Sequence, residues 1–215
     1  MTLEWTIMQG IGQLTLNQPP SNTMTMAFFR EMKALVHEIS SMPGLKAVVV
    51  SGNGRHYSSG ADISELLGQA NQQTMLENYK SFVMLEQLKI PVISAIRGVC
   101  LGSAFELALF SHFRICATDT VLGLPESTFN LMPGIGGIRR VAALAGKAKA
   151  IEIILRGLTF PAGEAREMGL VDAVVPKTEV IPLSIAFANA LPGGVKKADR
   201  EFTLHKYLKP LHAGV

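Results

Sequence analysis

No stretch of the 215-residue chain reaches the roughly 20 uninterrupted apolar residues that a membrane-spanning helix needs, although hydrophobic residues make up 48% of it. Glycine and proline break the apolar runs, so the excess apolar surface is expected inside the fold or between subunits. The opening "MTLEWTIMQG" has no basic region followed by an apolar core, and a cytoplasmic protein is expected. Cysteine is scarce: Cys100 and Cys116 show no C-x-x-C spacing, which argues against a redox pair or a zinc site and for two buried thiols. The histidines, His37, His56, His112, His205 and His212, have no metal-ligand spacing, so no metal site is expected.

Charge is also sparse. Charged residues make up 17% of the chain and the net charge is +3. Lys196, Lys197, Arg200, Lys206 and Lys209 against Asp199 and Glu201 place that excess in the last segment, which leaves the rest neutral. A nucleic-acid binder would show a basic stripe with interleaved aromatics; a solvated amphipathic end is the reading here. "PGIGGIRR" falls short of the G-x-G-x-x-G pattern, and no G-x-S-x-G elbow occurs, which disfavours a nucleotide loop and a serine hydrolase.

What is present reads as an α/β chain. "IGQLTLNQ" alternates like a strand and "NQPPSN" turns it. In "MAFFREMKALVHEIS" the residues Phe28, Met32, Leu35, Val36 and Ile39 share one helical face, and "MPG" ends that helix. "LKAVVVSG" and "IPVISAIRG" read as strands buried on both faces, joined through the loop "NGRHYSSGAD" and a long helical stretch to about Leu88. "RICAT" and residues 170–175 are further strand candidates, and "IRRVAALAGKAKAIEIILRG" reads as two helices broken near Gly146. Such alternation gives sequential parallel strands with right-handed crossovers.

Three places can carry chemistry. In "GVCLGSAFELALF", Glu106 lies on a helix that is apolar all round and therefore buried. A buried carboxylate has to be paired with a cation, protonated, or solvated in a cavity. A structural ion pair with an arginine and a functional acid or base both remain open at this point. Glu126 follows Pro125 in "VLGLPESTFNLMPGIGG", a segment too rich in glycine and proline for a regular helix. Brought together, the two carboxyls would push their pKa values apart and yield one acid and one base. In "HYSSGADI", Gly60 permits positive φ or close approach and Asp62 begins a helix. An amide exposed at that turn, with another at the start of the Glu106 helix, could bind a developing oxyanion.

Together, "SSGADI", "IPVISAIRGVCLGSAFELAL", "GLPESTFNLMPGIGGIRR" and "LTFPAGEAREMGLVDAVVP" resemble, in order and spacing, the enoyl-CoA hydratase/isomerase (crotonase) family over roughly residues 10–180. The resemblance implies a crotonase-like α/β fold of repeated ββα units in a spiral, with a domain over residues 1–190 and a short helical tail over 191–215. It implies Glu106 and Glu126 as the catalytic pair and the backbone amides of Ala61 and Ser103 as the oxyanion hole. Ser59, Gly60, Asp62, Ile63 and Gly102 would contact substrate. It further implies an acyl-CoA thioester substrate within fatty acid metabolism, no metal or redox cofactor because coenzyme A belongs to the substrate, and a homotrimer or hexamer without nucleic-acid or membrane partners. Retention of both glutamates favours hydration of a 2-enoyl-CoA to 3-hydroxyacyl-CoA. Isomerase, decarboxylase, carrier-protein-linked and non-catalytic acyl-CoA-binding alternatives stay open. The family usually has glycines where this chain has Ser103 and Ala104, an Asn where it has Arg97, and frequently a Lys where it has Ser64. These departures bear on substrate choice more than on reaction type. The tail of this chain is also shorter than usual, so either the tail closes the acyl-CoA site in abbreviated form or the site is more open than usual.

Overall fold

Runs of β-branched and small apolar residues form the central sheet, where both faces are covered and no polar alternation is required. The computed structural model describes residues 1–69 and 72–191. Strands β1 (Leu3–Met8) and β2 (Ile11–Leu16) are followed by helix α1 (Met26–Ser40), strand β3 (Ala47–Gly52) and helices α2 (Ile63–Gln69) and α3 (Gln72–Glu86). Next come β4 (Val92–Ile96), β5 (Val99–Leu101), α4 (Ser103–Phe110), β6 (Phe113–Ala117), β7 (Val121–Gly123) and a 3-10 helix, Pro125–Phe129. Helices α5 (Gly137–Ala145) and α6 (Lys147–Arg156), strand β8 (Thr159–Pro161), helix α7 (Ala162–Glu167), strand β9 (Ala173–Val175) and helix α8 (Val180–Ala190) complete the described chain.

Two sheets result. The larger has the order β1-β2-β3-β4-β6-β9, and the smaller has the order β5-β7-β8. From β2 to β9 the neighbours in the large sheet are parallel, as expected, but β1 pairs antiparallel with β2 in a hairpin that the parallel scheme did not include. Along β3, Val48 and Val50 pack into the main core with the helices, while Ala47 and Val49 face a second core closed by Val180, Leu183 and Phe187 of α8. The buried-both-faces expectation for β3 and β4 therefore holds. Cys100 and Cys116 are free and buried. Two helices, α2 and α3, stand where one long stretch was expected, and residues 70–71 between them fall outside the described part.

The repeat that positions the site is visible in the second strands. After β3 the chain passes 57–60 alongside β5, with Ser58 bridged to Cys100; after β4 it forms β5; after β6 it forms β7, where Leu122 pairs with Cys100. Three successive turns of a ββα spiral thus lay Ser58, Cys100 and Leu122 side by side. The chain leaves each of the three at a nearby point, toward Ala61, Ser103 and Glu126. The expected tail, apart from Leu191, lies outside the described residues. Among the described residues, no helix is long and apolar enough to cross a membrane.

Candidate active site

Helix α4 is the innermost helix: all eight of its residues are buried. Glu106 on it is 1% exposed. Its Oε1 accepts the backbone amides of Ile135 at 2.9 Å and Gly137 at 2.8 Å, while its Oε2 is buried with no hydrogen-bond partner. The arginine ion pair left open by the sequence is not what forms. Arg140 instead bonds the Glu86 carboxylate at 2.6 Å and stacks over the Phe110 ring, 3.1 Å from its centroid. Two amides and a nearby cation oppose the cost of burial, but burial dominates, and the Glu106 carboxyl is raised from 4.5 to about 7, with Glu126 adding to the rise.

The glycine cluster "PGIGG" makes this possible. A Cβ at Gly137 would lie 3.0 Å from Glu106 Cγ and 3.0 Å from its Oε1, so only glycine lets the backbone come close enough to donate. The cluster serves a carboxylate rather than a phosphate. Ile135, Gly137 and Arg140 were missed as site residues; the sign in the sequence was a glycine group after Pro133 that matched no nucleotide pattern.

Glu126 sits on the 3-10 helix that β7 leads into, where Pro125 and the left-handed Asn130 keep the turn short. Its Oε2 is likewise buried without a partner. Burial raises its carboxyl from 4.5 to about 7, opposed only by its own backbone amide. The two carboxyls line one cavity of about 270 Å³, together with Ser103 and the apolar side chains of Phe29, Met75, Leu131, Met132 and Ile135. A second cavity of about 310 Å³, lined by Ser59, Gly60, Ala61, Ile63 and Gly102 among others, shares Ser103, Glu126 and Leu131 with the first. The two cavities thus adjoin at these three residues, with Glu106 on one and the loop at residue 60 on the other.

The amides at the junction follow from backbone pairing. Met24 donates to Gly60 O at 2.8 Å and accepts from Asp62 N at 3.0 Å. By strand alternation, Ala61 N–H then points the opposite way. The Ser103 amide is the first of α4, one of the four that a helix leaves without an internal partner, at the positive end of its dipole. Among the described residues, neither amide has an acceptor. The two segments touch: Gly60 has φ +96°, and a Cβ there would be 2.6 Å from Leu101 O and 3.4 Å from Ser103 N. Asp62 lines neither cavity; its carboxylate caps α2, accepting Ser64 N at 2.9 Å and Glu65 N at 3.1 Å. These bonds, with that from the Ser64 hydroxyl, hold its pKa below the ordinary value.

A crotonase-fold protein with a buried carboxyl pair beside two unpaired amides is the class that this architecture defines. The chain belongs to the enoyl-CoA hydratase/isomerase family, whose family model matches residues 6–205. It is 34% identical over 185 residues to a probable enoyl-CoA hydratase of Bacillus subtilis, covering 84% of this chain and 72% of that one. It is 38% identical over 216 residues to the fatty acid oxidation complex subunit alpha of Shewanella loihica, covering 95% of this chain and 30% of the relative. The chain thus spans less than a third of the length of that subunit. Among solved structures, the enoyl-CoA hydratase from Bacillus anthracis superposes with a TM-score of 0.82 at 32% identity, over 88% of this chain and 76% of that one. An enoyl-CoA hydratase/isomerase from Xanthobacter autotrophicus Py2 superposes with a TM-score of 0.85 at 26% identity, over 99% of this chain and 81% of that one.

Proposed function

We propose that the protein is an enoyl-CoA hydratase, adding water across the 2,3 double bond of a 2-enoyl-CoA thioester. The observation that carries this reading is the pair of carboxyls, both raised to about 7 and each with an unpartnered oxygen, lining one cavity. Near neutral pH such a pair holds about one proton between them. Two backbone donors and the Arg140 charge favour the anion at Glu106, whereas Glu126 has only its own amide. Glu106 is therefore the base and Glu126 the acid.

In the step, Glu106 takes a proton from water as the water oxygen bonds to C3. The double-bond electrons move through C2 and the carbonyl carbon onto the thioester oxygen, giving an enolate held by the amides of Ala61 and Ser103. The enolate collapses, C2 takes the proton of Glu126, and 3-hydroxyacyl-CoA results. Proton exchange with solvent resets the pair. Donors aimed at the oxygen where charge develops contribute most in the transition state, about 3 to 4 kcal/mol for one such donor. Residues and water handle every proton and electron pair, so the reading requires no cofactor.

The test is mass analysis of products from short and medium 2-enoyl-CoA substrates, with Glu106→Gln and Glu126→Gln made separately. Addition of one water is expected, each variant losing at least about 100-fold in kcat. The wild-type rate should peak near neutral pH, falling in acid as Glu106 is protonated and in alkali as Glu126 loses its proton. A product of unchanged mass with a shifted double bond, or full turnover in both variants, would refute the reading. Assembly into a homotrimer or hexamer is part of the same proposal, supported by the apolar side chains of Ile138, Leu144, Ile151 and Leu155 left exposed on α5 and α6; light scattering in solution tests it.

A further inference from the structure

On helix α3, Asn78, Phe82 and Leu85 are buried and Met75 lines the cavity of the two glutamates, at the spacing of one helical face. Three of these are apolar; the fourth is an amide. Asn78 is only 8% exposed, and it lines the cavity of the two glutamates. Its carboxamide makes no hydrogen bond among the described residues; the Ser81 hydroxyl donates to its backbone carbonyl instead. The Ser103 hydroxyl, which also lines that cavity, is likewise without a partner there. A leucine at 78 would complete the apolar stripe, whereas an amide at the cavity wall leaves an acceptor and donors open to an occupant. The remaining lining is apolar apart from the glutamates, and no cation lines the cavity among the described residues.

We infer that Asn78 is a specificity residue that selects acyl thioesters whose chain carries an uncharged hydrogen-bonding group, a hydroxyl or carbonyl, over plain alkyl chains. The inference rests on the reading of this cavity as the acyl-thioester site. An amide offers one acceptor and two donors, so it can satisfy either a hydroxyl or a carbonyl. A carboxylate-bearing chain is disfavoured, because it would enter beside two acidic groups with no cation to receive it. The cavity of about 270 Å³ corresponds to about nine water volumes, room for a short functionalised chain and the attacking water. A site built to hydrogen-bond a substrate group rejects the analogue lacking it far more strongly than an apolar pocket rejects an extra methylene.

The experiment compares binding of saturated, unreactive acyl-CoA esters: hexanoyl-CoA and its 4-, 5- and 6-hydroxy derivatives, by calorimetry, with wild type, Asn78→Leu and Asn78→Thr. Wild type should bind at least one hydroxy ester more tightly than hexanoyl-CoA. Asn78→Leu should lower that hydroxy-to-plain ratio by about 10-fold or more, with Asn78→Thr between the two. Preference of wild type for hexanoyl-CoA over every hydroxy ester would overturn the inference even if no variant folds, and so would a ratio that shifts less than threefold in both variants. A further contrary result is that Asn78→Leu lowers kcat equally on plain and hydroxylated enoyl-CoA substrates without changing the binding ratio; Asn78 would then be acting on the attacking water. Binding with the expected ratio but no hydration leaves this inference standing and removes the hydratase reading. Failure of wild type to bind any of the esters removes both.

Discussion

Replacing Glu106 by Gln tests the electrostatics of the site without any substrate. Gln keeps an Oε1 able to accept the amides of Ile135 and Gly137, so the backbone around it need not move. What is removed is the charge. In the wild type the carboxyl titrates at about 7 in the folded state against an ordinary 4.5. Between those values the folded state keeps a proton that the unfolded chain has released. This contribution to stability is therefore fully present below 4.5 and is lost as pH rises through 7. At about 1.4 kcal/mol per pH unit, the interval from 4.5 to about 7 comes to about 3 kcal/mol. Glu126 is raised for its own reason, burial, and titrates in the variant too. Arg140, held by Glu86, stays cationic across the range, although burial lowers its pKa somewhat. The stability of Glu106→Gln relative to wild type should thus rise by about 3 kcal/mol between pH 4 and pH 8.5, or about 6 to 12 °C in Tm for a chain of this size. Urea unfolding at a series of pH values, with m unchanged, measures it. A difference that stays constant across that range, or that shifts toward the wild type as pH rises, would show that Glu106 ionises as an ordinary carboxyl and would sink the reasoning.

Two further changes probe the scaffold around the pair. Gly60→Ala puts a Cβ 2.6 Å from Leu101 O at a φ of +96°, so the loop and β5 must part; the expected cost is about 1 to 3 kcal/mol, with the proposed hydration falling at least about 10-fold while the pH dependence of stability attributed to Glu106 persists. Loss of that pH dependence along with activity would mean that the loop and the carboxyl are not independent. Arg114→Met removes the donor to Leu170 O at 2.9 Å and Ser111 O at 2.7 Å and breaks the ion pair with Asp172 at 3.1 Å. With the Arg114 side chain only 6% exposed, about 3 to 5 kcal/mol should be lost, and a loss under about 1 kcal/mol in urea unfolding would show that water replaces those bonds.

How much of this was legible beforehand depended on range. The helix of Glu106 could be read as buried because its apolar residues surround the carboxylate on every side, a local property. Strands β3 and β4 declared themselves by short runs rich in β-branched and small residues. The strands β5, β7 and β8, three residues each, are too short to show any period, yet they bring Ala61, Ser103 and Glu126 to one place. The hairpin strand β1 was passed over because Glu4, Ile7 and Met8 are exposed and blur its alternation. Of the two readings left open for Glu106, the ion pair does not form; two amides made reachable by Gly137 hold one of its oxygens, and no local sign announced them. Long-range pairings of this sort leave only indirect marks, here a glycine group without a phosphate pattern. Asn78 left no mark. In "ENYKSF" an asparagine between a glutamate and a lysine reads as the solvated side of a helix, and the weak apolar period of α3 gives no reason to turn it inward. Its burial is set by what α3 packs against, namely α1 and the Glu106 helix. A residue of this kind, polar by type and buried by tertiary context, is where a shared fold leaves room for a substrate preference of the chain's own.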